Sequence, residues 1–327
     1  MRQRAACLHQ PVLIIITLFL MCCCAGCAFV SVPLLAPSLS DLEERTVLGK
    51  GDSKILLLDV SGVISEEDQT NPLGMTTDVS PVARIREELE KAKEDRKIKA
   101  LLLKIDSPGG TVTASDIIYH ELQAFKKKTG IPIIVSMMDI AASGGYYIAM
   151  AADKIIAHPT TVTGSIGVLT MKFDIQGLMA KIGVEEVTVK SGDMKDFNSI
   201  FHTLRPEDQA LLQNIIDTLH ERFTTIVAES RPGLSQAEVK RLADGRVYTA
   251  QQALDLKLID EIGYLEDGIE LAKKAAGISQ ARVIAYQRPS QPKKTIYARS
   301  SAAESTFISS LGSLSNLSCR FWYLWAP

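Results

Sequence analysis

An excess of charge of either sign is absent from this chain of 327 residues. It carries 36 Lys and Arg against 38 Asp and Glu, so its formal net charge is -2. A nucleic-acid-binding protein typically has a basic excess, and this balance argues against that class. The content of 46% hydrophobic and 23% charged residues excludes a wholly disordered chain. The length suits about two domains or one large α/β unit.

Cysteine is also absent, from residue 28 to residue 318. The six cysteines are Cys7, Cys22, Cys23, Cys24, Cys27 and Cys319. The main part of the chain therefore cannot hold an internal disulfide framework. Cys24 and Cys27 have CxxC spacing, but they lie in an apolar run without a second ligand pair, so we expect no metal or redox site there.

Residues 11–40 carry no charge and are largely apolar. Residues 12–30 come close to the ~20 apolar residues that a membrane-spanning helix needs. Two arginines precede this run and acidic residues follow it, so the positive-inside rule exports the rest of the chain. We expect residues 1–40 to be a single-pass anchor. A lipoprotein signal with lipidated Cys27 and a cleaved signal peptide are the alternatives.

Alternating strand and helix patterns follow and predict an α/β fold with a mainly parallel sheet. We expect a linker over 41–53, a main domain over 54–287 and a Ser-rich tail with an aromatic end over 288–327. That end suits a membrane interface, a partner groove or a partly disordered tail. The predicted strands are 55–60, 100–105, 131–137, 154–157 and 165–170. The predicted helices are 81–95, 115–128, 146–151 and 206–230, with another starting at Ser235.

Two glycine-rich turns follow predicted strands, at 108–110 and 143–145. Glycine lets the backbone approach a ligand closely, and two facing turns can supply converging N–H donors for an oxyanion. Ser143 would present its hydroxyl at the start of a short helix, as a nucleophile requires. Neither phosphate-loop pattern occurs at these turns, so a nucleotide site is not expected.

A serine nucleophile needs a base, and no histidine of this chain lies in a suggestive motif. A lysine can serve when burial or a positive neighbour lowers its pKa enough to keep it neutral. The polar loop 190–196 offers two, Lys190 and Lys195, and these considerations alone do not choose between them.

Five motifs then occur in a fixed order. They are Asp106-Ser-Pro-Gly-Gly110, Ala141-Ala-Ser-Gly-Gly-Tyr-Tyr147, Thr163-Gly-Ser-Ile-Gly167, Ser191-Gly-Asp-Met-Lys195-Asp196 and Arg246-Val-Tyr-Thr249. Together they resemble the signal peptide peptidase A family in its short, single-copy bacterial form, over roughly residues 54–278. The resemblance implies the fold of Clp protease and crotonase, with repeated ββα units, and a Ser/Lys catalytic dyad.

The resemblance also implies roles for individual residues. Ser143 would be the nucleophile, Lys195 the general base and Ser165 the hydroxyl that orients the lysine. The amides of Gly110 and Gly144 would form the oxyanion hole. Because the family forms rings and divides the dyad between halves in its double-length form, Lys195 would reach Ser143 of a neighbouring subunit.

The sequence departs from the family pattern in two places. Asp106 stands where asparagine is usual, and Ser199-Ile-Phe-His-Thr203 replaces the usual Ser-Pro-Phe-Arg-Pro after the lysine. The second departure affects the expected path of the lysine loop.

The expected function is a serine endopeptidase anchored in the bacterial cytoplasmic membrane, which degrades hydrophobic cleaved signal peptides on the extracytoplasmic side. We expect no metal or organic cofactor and no nucleic-acid partner. The alternatives are a non-catalytic membrane scaffold of the same fold and a crotonase-like acyl-CoA enzyme.

Overall fold

The computed structural model describes residues 41–70, 76–288, 295–298 and 320–325. The expected anchor, residues 1–40, lies outside these ranges, as does most of the tail. Within the described ranges, no helix is both long enough and apolar enough to cross a bilayer.

A nine-stranded mixed sheet forms the centre of the fold. Its main path runs β1-β12-β2-β5-β7-β8-β11; β9 also pairs with β7, and β10 pairs with β9. The pairs from β12 to β11 along the path are parallel, whereas β1 and β10 are antiparallel to their partners. The strands of this sheet are β1 Glu43–Gly49, β2 Lys54–Ser61, β5 Ile98–Ser107, β7 Ile133–Ala142, β8 Lys154–Ala157, β9 Val162–Gly164, β10 Val247–Thr249, β11 Glu261–Ile262 and β12 Arg282–Gln287.

Two further pairs of short strands lie outside this sheet. They are β3 Gln69–Thr70 with β4 Thr76–Asp78, and β6 Gly109–Thr111 with β13 Trp322–Leu324. The second pair joins the first glycine-rich turn to the end of the chain.

The helices begin and end largely where the sequence predicts. Ser80 caps the first helix by accepting a hydrogen bond from Ala83 N, and Gly130 ends the second in the left-handed region at φ 70°. The helices are α1 Pro81–Glu94, α2 Val112–Thr129, α3 Gly144–Ala149, α4 Gln176–Ile182, α5 Pro206–Ser230, α6 Gln236–Leu242, α7 Ala250–Asp255 and α8 Leu265–Ala275.

Helices cover both faces of the sheet. Strand β5 is buried on both sides, since Leu101 packs in the larger core with helices α1 and α2 while Leu102 packs in the smaller core with α8. This explains the continuous apolar run of that strand, because successive side chains point to opposite faces.

The structure differs from the prediction at three places. Residues 43–49, expected in a linker, form the edge strand β1; its polar residues suit an edge, where one side meets solvent. The strand expected at 165–170 is wrong, because Ser165 has φ 50° and the strand there ends at Gly164. The aromatic end of the tail is a strand, β13.

Candidate active site

Ser143 lies at a sharp turn between β7 and α3. Its backbone adopts φ 52° and ψ -112°, which a residue with a side chain rarely takes. Its amide donates to the Gly164 carbonyl at 2.8 Å, and the residue is 1% exposed. The strained geometry is held by the surrounding sheet and points to a functional position. Among the described residues, the Ser143 hydroxyl has no hydrogen-bond partner.

The two glycine-rich turns face each other, as the sequence predicts. A Cβ on Gly144 would lie 3.1 Å from Gly110 N and 2.4 Å from Ser115 Oγ. A Cβ on Gly109 would lie 2.8 Å from Gly144 N. Glycine is therefore needed here because the two backbones approach too closely for a side chain, and the amides of Gly110 and Gly144 lie near one another beside Ser143.

Ser165 directly follows strand β9, which pairs with the strand that ends just before Ser143. The parallel pairing of β7 with β9 sets Ala142 opposite Gly164, so the two serines follow paired residues at the same edge of the sheet. Ser165 is 6% exposed, and its amide donates to the Arg246 carbonyl at 2.8 Å. The structure therefore brings Ser143, Ser165 and both glycine turns together.

Lys195 is not joined to this group. It lies in a 3-10 helix, Asp193–Asp196, and its exposed side chain forms no hydrogen bond or ion pair with any residue that the structure describes. Lys190, the other lysine of the loop, is 2.8 Å from Asp196 Oδ1. That hydrogen bond lowers the pKa of the Asp196 carboxyl below its ordinary value. Of the two candidates, Lys190 is held by a carboxylate and Lys195 is free of side-chain partners within the described ranges.

Lys195 lies in the segment 171–207, which contains no buried residue. We call its exposed apolar side chains the apolar surface 171–207. Val187 and Val189 are 87% and 97% exposed. Its other exposed large apolar side chains are Met171, Phe173, Leu178, Ile182, Val184, Met194 and Phe201. So many exposed apolar side chains in one segment are typical of an interaction surface.

Strand β13 lies against the glycine turn, a contact that sequence reasoning missed. It runs antiparallel to β6 and sets Tyr323 opposite Gly110. On its other edge Trp322 exchanges two backbone hydrogen bonds with Leu169, at 2.9 and 3.1 Å. The run of aromatic and apolar residues over 321–325 was the available signal, since such residues favour strands.

The Tyr323 side chain is completely buried. Its ring stacks on Tyr147 at a centroid distance of 5.0 Å and packs against Phe223 at 4.7 Å. Its hydroxyl donates to the Leu219 carbonyl at 2.8 Å. Burial raises the pKa of Tyr323 above its ordinary value, so the hydroxyl stays protonated and remains a donor.

Comparisons with known proteins agree with this geometry. The profile of peptidase family S49 matches residues 125–279, and the Clp protease profile matches residues 72–163. A candidate signal peptide peptidase SppA of Enterococcus faecium is 38% identical over 75% of this chain and 70% of its own length. A candidate protease of Synechocystis is 43% identical over 59% of this chain and 69% of its own.

Two further similarities are more partial. Protease 4 of Haemophilus influenzae is 37% identical over 72% of this chain but only 37% of its own length. Among solved structures, a mutant ClpP1 of Listeria monocytogenes has a TM-score of 0.42 at 18% identity, covering 65% of this chain and 94% of that one. The last likeness is too distant to establish a shared fold by itself.

Proposed function

The chain belongs to peptidase family S49, has an α/β fold of the Clp protease type with a mixed sheet, and is a serine peptidase; from this premise we propose that it is a membrane-anchored endopeptidase that degrades cleaved signal peptides. The observation that carries the proposal is the strained, buried turn of Ser143 beside the converging amides of Gly110 and Gly144. Such an arrangement suits acyl transfer at a peptide carbonyl.

In the proposed reaction, Ser143 Oγ attacks the carbonyl carbon of the peptide bond and gives its proton to a neutral lysine base. The amides of Gly110 and Gly144 donate to the oxyanion of the tetrahedral intermediate. The carbon–nitrogen bond then breaks, and the lysine returns the proton to the leaving amine. Water hydrolyses the acyl-enzyme and restores Ser143, again with the lysine as base.

We assign the base to Lys195 supplied by a second copy of the chain. Within one chain Lys195 is exposed and lies on the apolar surface 171–207, which association would bury. A lysine acts as a base only when neutral, and burial disfavours its charged form. Pairing of copies in a ring-shaped homo-oligomer would therefore complete the site and prepare the base in one step.

Ser165 has a positioning role in this scheme. It follows the residue paired with Ala142, at the same edge of the sheet as Ser143, and its backbone has a positive φ of 50°. A hydroxyl there can accept a hydrogen bond from an arriving lysine and orient it toward Ser143.

The membrane location rests on the sequence of the first 40 residues. We propose a single-pass anchor in the bacterial cytoplasmic membrane, with the peptidase domain on the extracytoplasmic side; lipidation of Cys27 is the other way to attach it. Either attachment would hold the domain near hydrophobic signal peptides, which supplies the substrate class. Mass spectrometry of the purified membrane protein would distinguish the two attachments. Cleavage within the Cys24–Cys27 segment indicates lipidation, and an uncleaved segment indicates the single-pass anchor.

A complementation assay tests the mechanism. Inactive Ser143→Ala and Lys195→Ala chains are mixed, allowed to exchange subunits, and assayed for hydrolysis of a fluorogenic hydrophobic peptide. We expect each variant alone to be inactive and the mixture to recover activity. Lys190→Ala is the matched control and should retain activity, because Lys190 is occupied by Asp196.

Two results would contradict these assignments. If proven exchange restores nothing, the dyad lies within one chain and the shared site is wrong. If either single variant keeps wild-type turnover, the role given to that residue is wrong.

A further inference from the structure

Two of the sequence motifs, 163–167 and 246–249, pair with each other next to the serines. The second has no part in the reaction proposed above. Strands β9 and β10 run antiparallel and set Val247 opposite Gly164. At the end of this pairing the Ser165 amide donates to the Arg246 carbonyl at 2.8 Å. The motif 246–249 therefore contacts the candidate site through the backbone of β9.

One peptide group, between Gly164 and Ser165, connects the two serines. Its carbonyl accepts a hydrogen bond from the Ser143 amide at 2.8 Å, and its N–H is the group that donates to Arg246. The backbone is turned sharply around it, with φ 52° at Ser143, 85° at Gly164 and 50° at Ser165. Such conformations persist only where the surrounding structure holds them. The placement of this peptide group therefore sets the backbone of both serines.

The ring of Tyr248 packs directly on Gly164. A Cβ on Gly164 would lie 2.5 Å from Tyr248 Cδ2 and 3.1 Å from Tyr248 Cε2. The ring thus fills the space that a side chain at position 164 would need, which explains the glycine there. Because Tyr248 is only 6% exposed and belongs to the larger core, the ring forms a packed wall against this turn.

Tyr248 is itself fixed at both ends. Its backbone lies opposite Thr163 in the pairing of β10 with β9. Its hydroxyl donates to the Leu242 carbonyl, at the end of α6, at 2.9 Å. Burial raises the pKa of Tyr248 above its ordinary value, so the hydroxyl stays protonated and remains a donor. The ring therefore has little freedom to move away from Gly164.

We propose that Tyr248 is a positioning residue for the peptidase reaction. Its ring holds the Gly164–Ser165 peptide group in place, and this group sets the directions in which Ser143 and Ser165 present their hydroxyls. Tyr248 acts through Gly164 and not by contact with the substrate. The proposal rests on the peptidase mechanism proposed above and gives the motif 246–249 a part in it.

Kinetics of two Tyr248 variants test the proposal on the full chain. Tyr248→Leu removes the ring from Gly164 and leaves the substrate cleft unchanged. Misplacement of a catalytic group by about 1 Å costs about 10²-fold in rate, so kcat on a fluorogenic hydrophobic peptide should fall about 10–100-fold while KM changes less than about twofold. Tyr248→Phe keeps the ring and should keep kcat within about threefold, because only one neutral hydrogen bond is lost.

Tyr286→Leu is the matched control for lost packing. Tyr286 is 2% exposed and lies in the same core, but it belongs to β12, from which β2, β5 and β7 separate β9. This variant should lower the thermal midpoint, as Tyr248→Leu does, and leave kcat unchanged. If Tyr248 only stabilised the fold, the two leucine variants would behave alike.

Amide hydrogen exchange provides a readout that does not need turnover. The amides of Ser143 and Ser165 donate to the Gly164 and Arg246 carbonyls. In Tyr248→Leu both amides should exchange about tenfold faster relative to amides of β5, because the local turn is released while the central sheet stays closed. Tyr248→Phe and Tyr286→Leu should leave this ratio unchanged.

The outcomes separate the positioning role from the peptidase function. The role is wrong if folded Tyr248→Leu keeps more than about a third of wild-type kcat, or if it changes KM alone. It is also wrong if Tyr286→Leu loses as much kcat, or if the two serine amides stay as protected as before. If the wild-type chain cleaves no peptide but exchange responds as expected, the proposed function fails while the hold of Tyr248 on both serines stands.

Discussion

Adding one methyl group at Gly144 tests the oxyanion hole directly. In Gly144→Ala the new Cβ would lie 3.1 Å from Gly110 N and 2.4 Å from Ser115 Oγ. It would stand beside the Gly110 amide, where the proposed oxyanion must bind. The variant should therefore lose catalysis through the loss of hydrogen-bond donors to the transition state, rather than through the chemistry of Ser143.

Two magnitudes follow from this geometry. Loss of one oxyanion donor costs about 2.7–4 kcal/mol of barrier, so kcat should fall by about 10²–10³. The contact with Ser115 is a separate overpacking effect on stability, of about 1–3 kcal/mol. The double variant Gly144→Ala/Ser115→Gly removes the second contact and keeps the first. It should recover stability while activity stays low.

The assay compares kcat on a hydrophobic peptide with the thermal midpoint of each variant. Gly233→Ala is the control, because an added Cβ there would meet only ordinary van der Waals contact, 3.4 Å from the Lys257 side chain. If Gly144→Ala folds and keeps more than a third of wild-type kcat, the oxyanion hole has been assigned wrongly. If the double variant regains activity together with stability, the loss of activity in Gly144→Ala came from the contact with Ser115 and not from the oxyanion hole.

Three other perturbations have expected outcomes. Trp322→Pro removes the amide that donates to the Leu169 carbonyl and should speed hydrogen exchange of the Trp325 amide about tenfold; unchanged exchange would contradict a role for this bond in holding β13. Lys104→Met leaves Asp59 buried without its ammonium partner at 3.0 Å, and should cost about 3–5 kcal/mol in urea unfolding; a loss under 1 kcal/mol would contradict this. Hydrogen bonds from Arg246 lower the pKa of Asp244 to about 2, from an unfolded-state pKa of 3.8. The contribution of this pair to the free energy of unfolding is therefore complete above pH 3.8 and is lost as the pH falls through about 2. An NMR titration of that carboxyl should show an ordinary pKa in Arg246→Gln, and a wild-type pKa near 4 would be inconsistent with the pair.

Much of the fold follows from local pattern in the sequence. The helix Pro206–Ser230 is confirmed residue for residue, and the start of α1 at Ser80-Pro81 and the end of α2 at Gly130 are confirmed by their capping geometry. Strand β5 is likewise confirmed as buried on both faces. These features depend on periodicity, caps and backbone preference, which each segment carries in its own residues.

The arrangement of Ser143 between two glycine turns was also accessible from the sequence. Glycine at 109, 110 and 144 permits an approach that no side chain allows, and the order of strand, turn and helix sets the two turns at one edge of the sheet. The partner of Lys195 was not accessible in this way. Its role remains a prediction, because the described single chain leaves that lysine exposed.

The features that only the tertiary structure decided are pairings between distant segments. Strand β1 is too polar to identify by itself and forms because the edge of β12 offers it unpaired backbone groups. Strand β13 forms in the same way, since Gly110 and Leu169 provide two backbone edges and Tyr147 and Phe223 pack against the ring of Tyr323. The sequence by itself determined which segments could extend or coil. Their partners depended on where unpaired backbone and apolar surface remained once the rest of the chain had folded, and no local pattern records that.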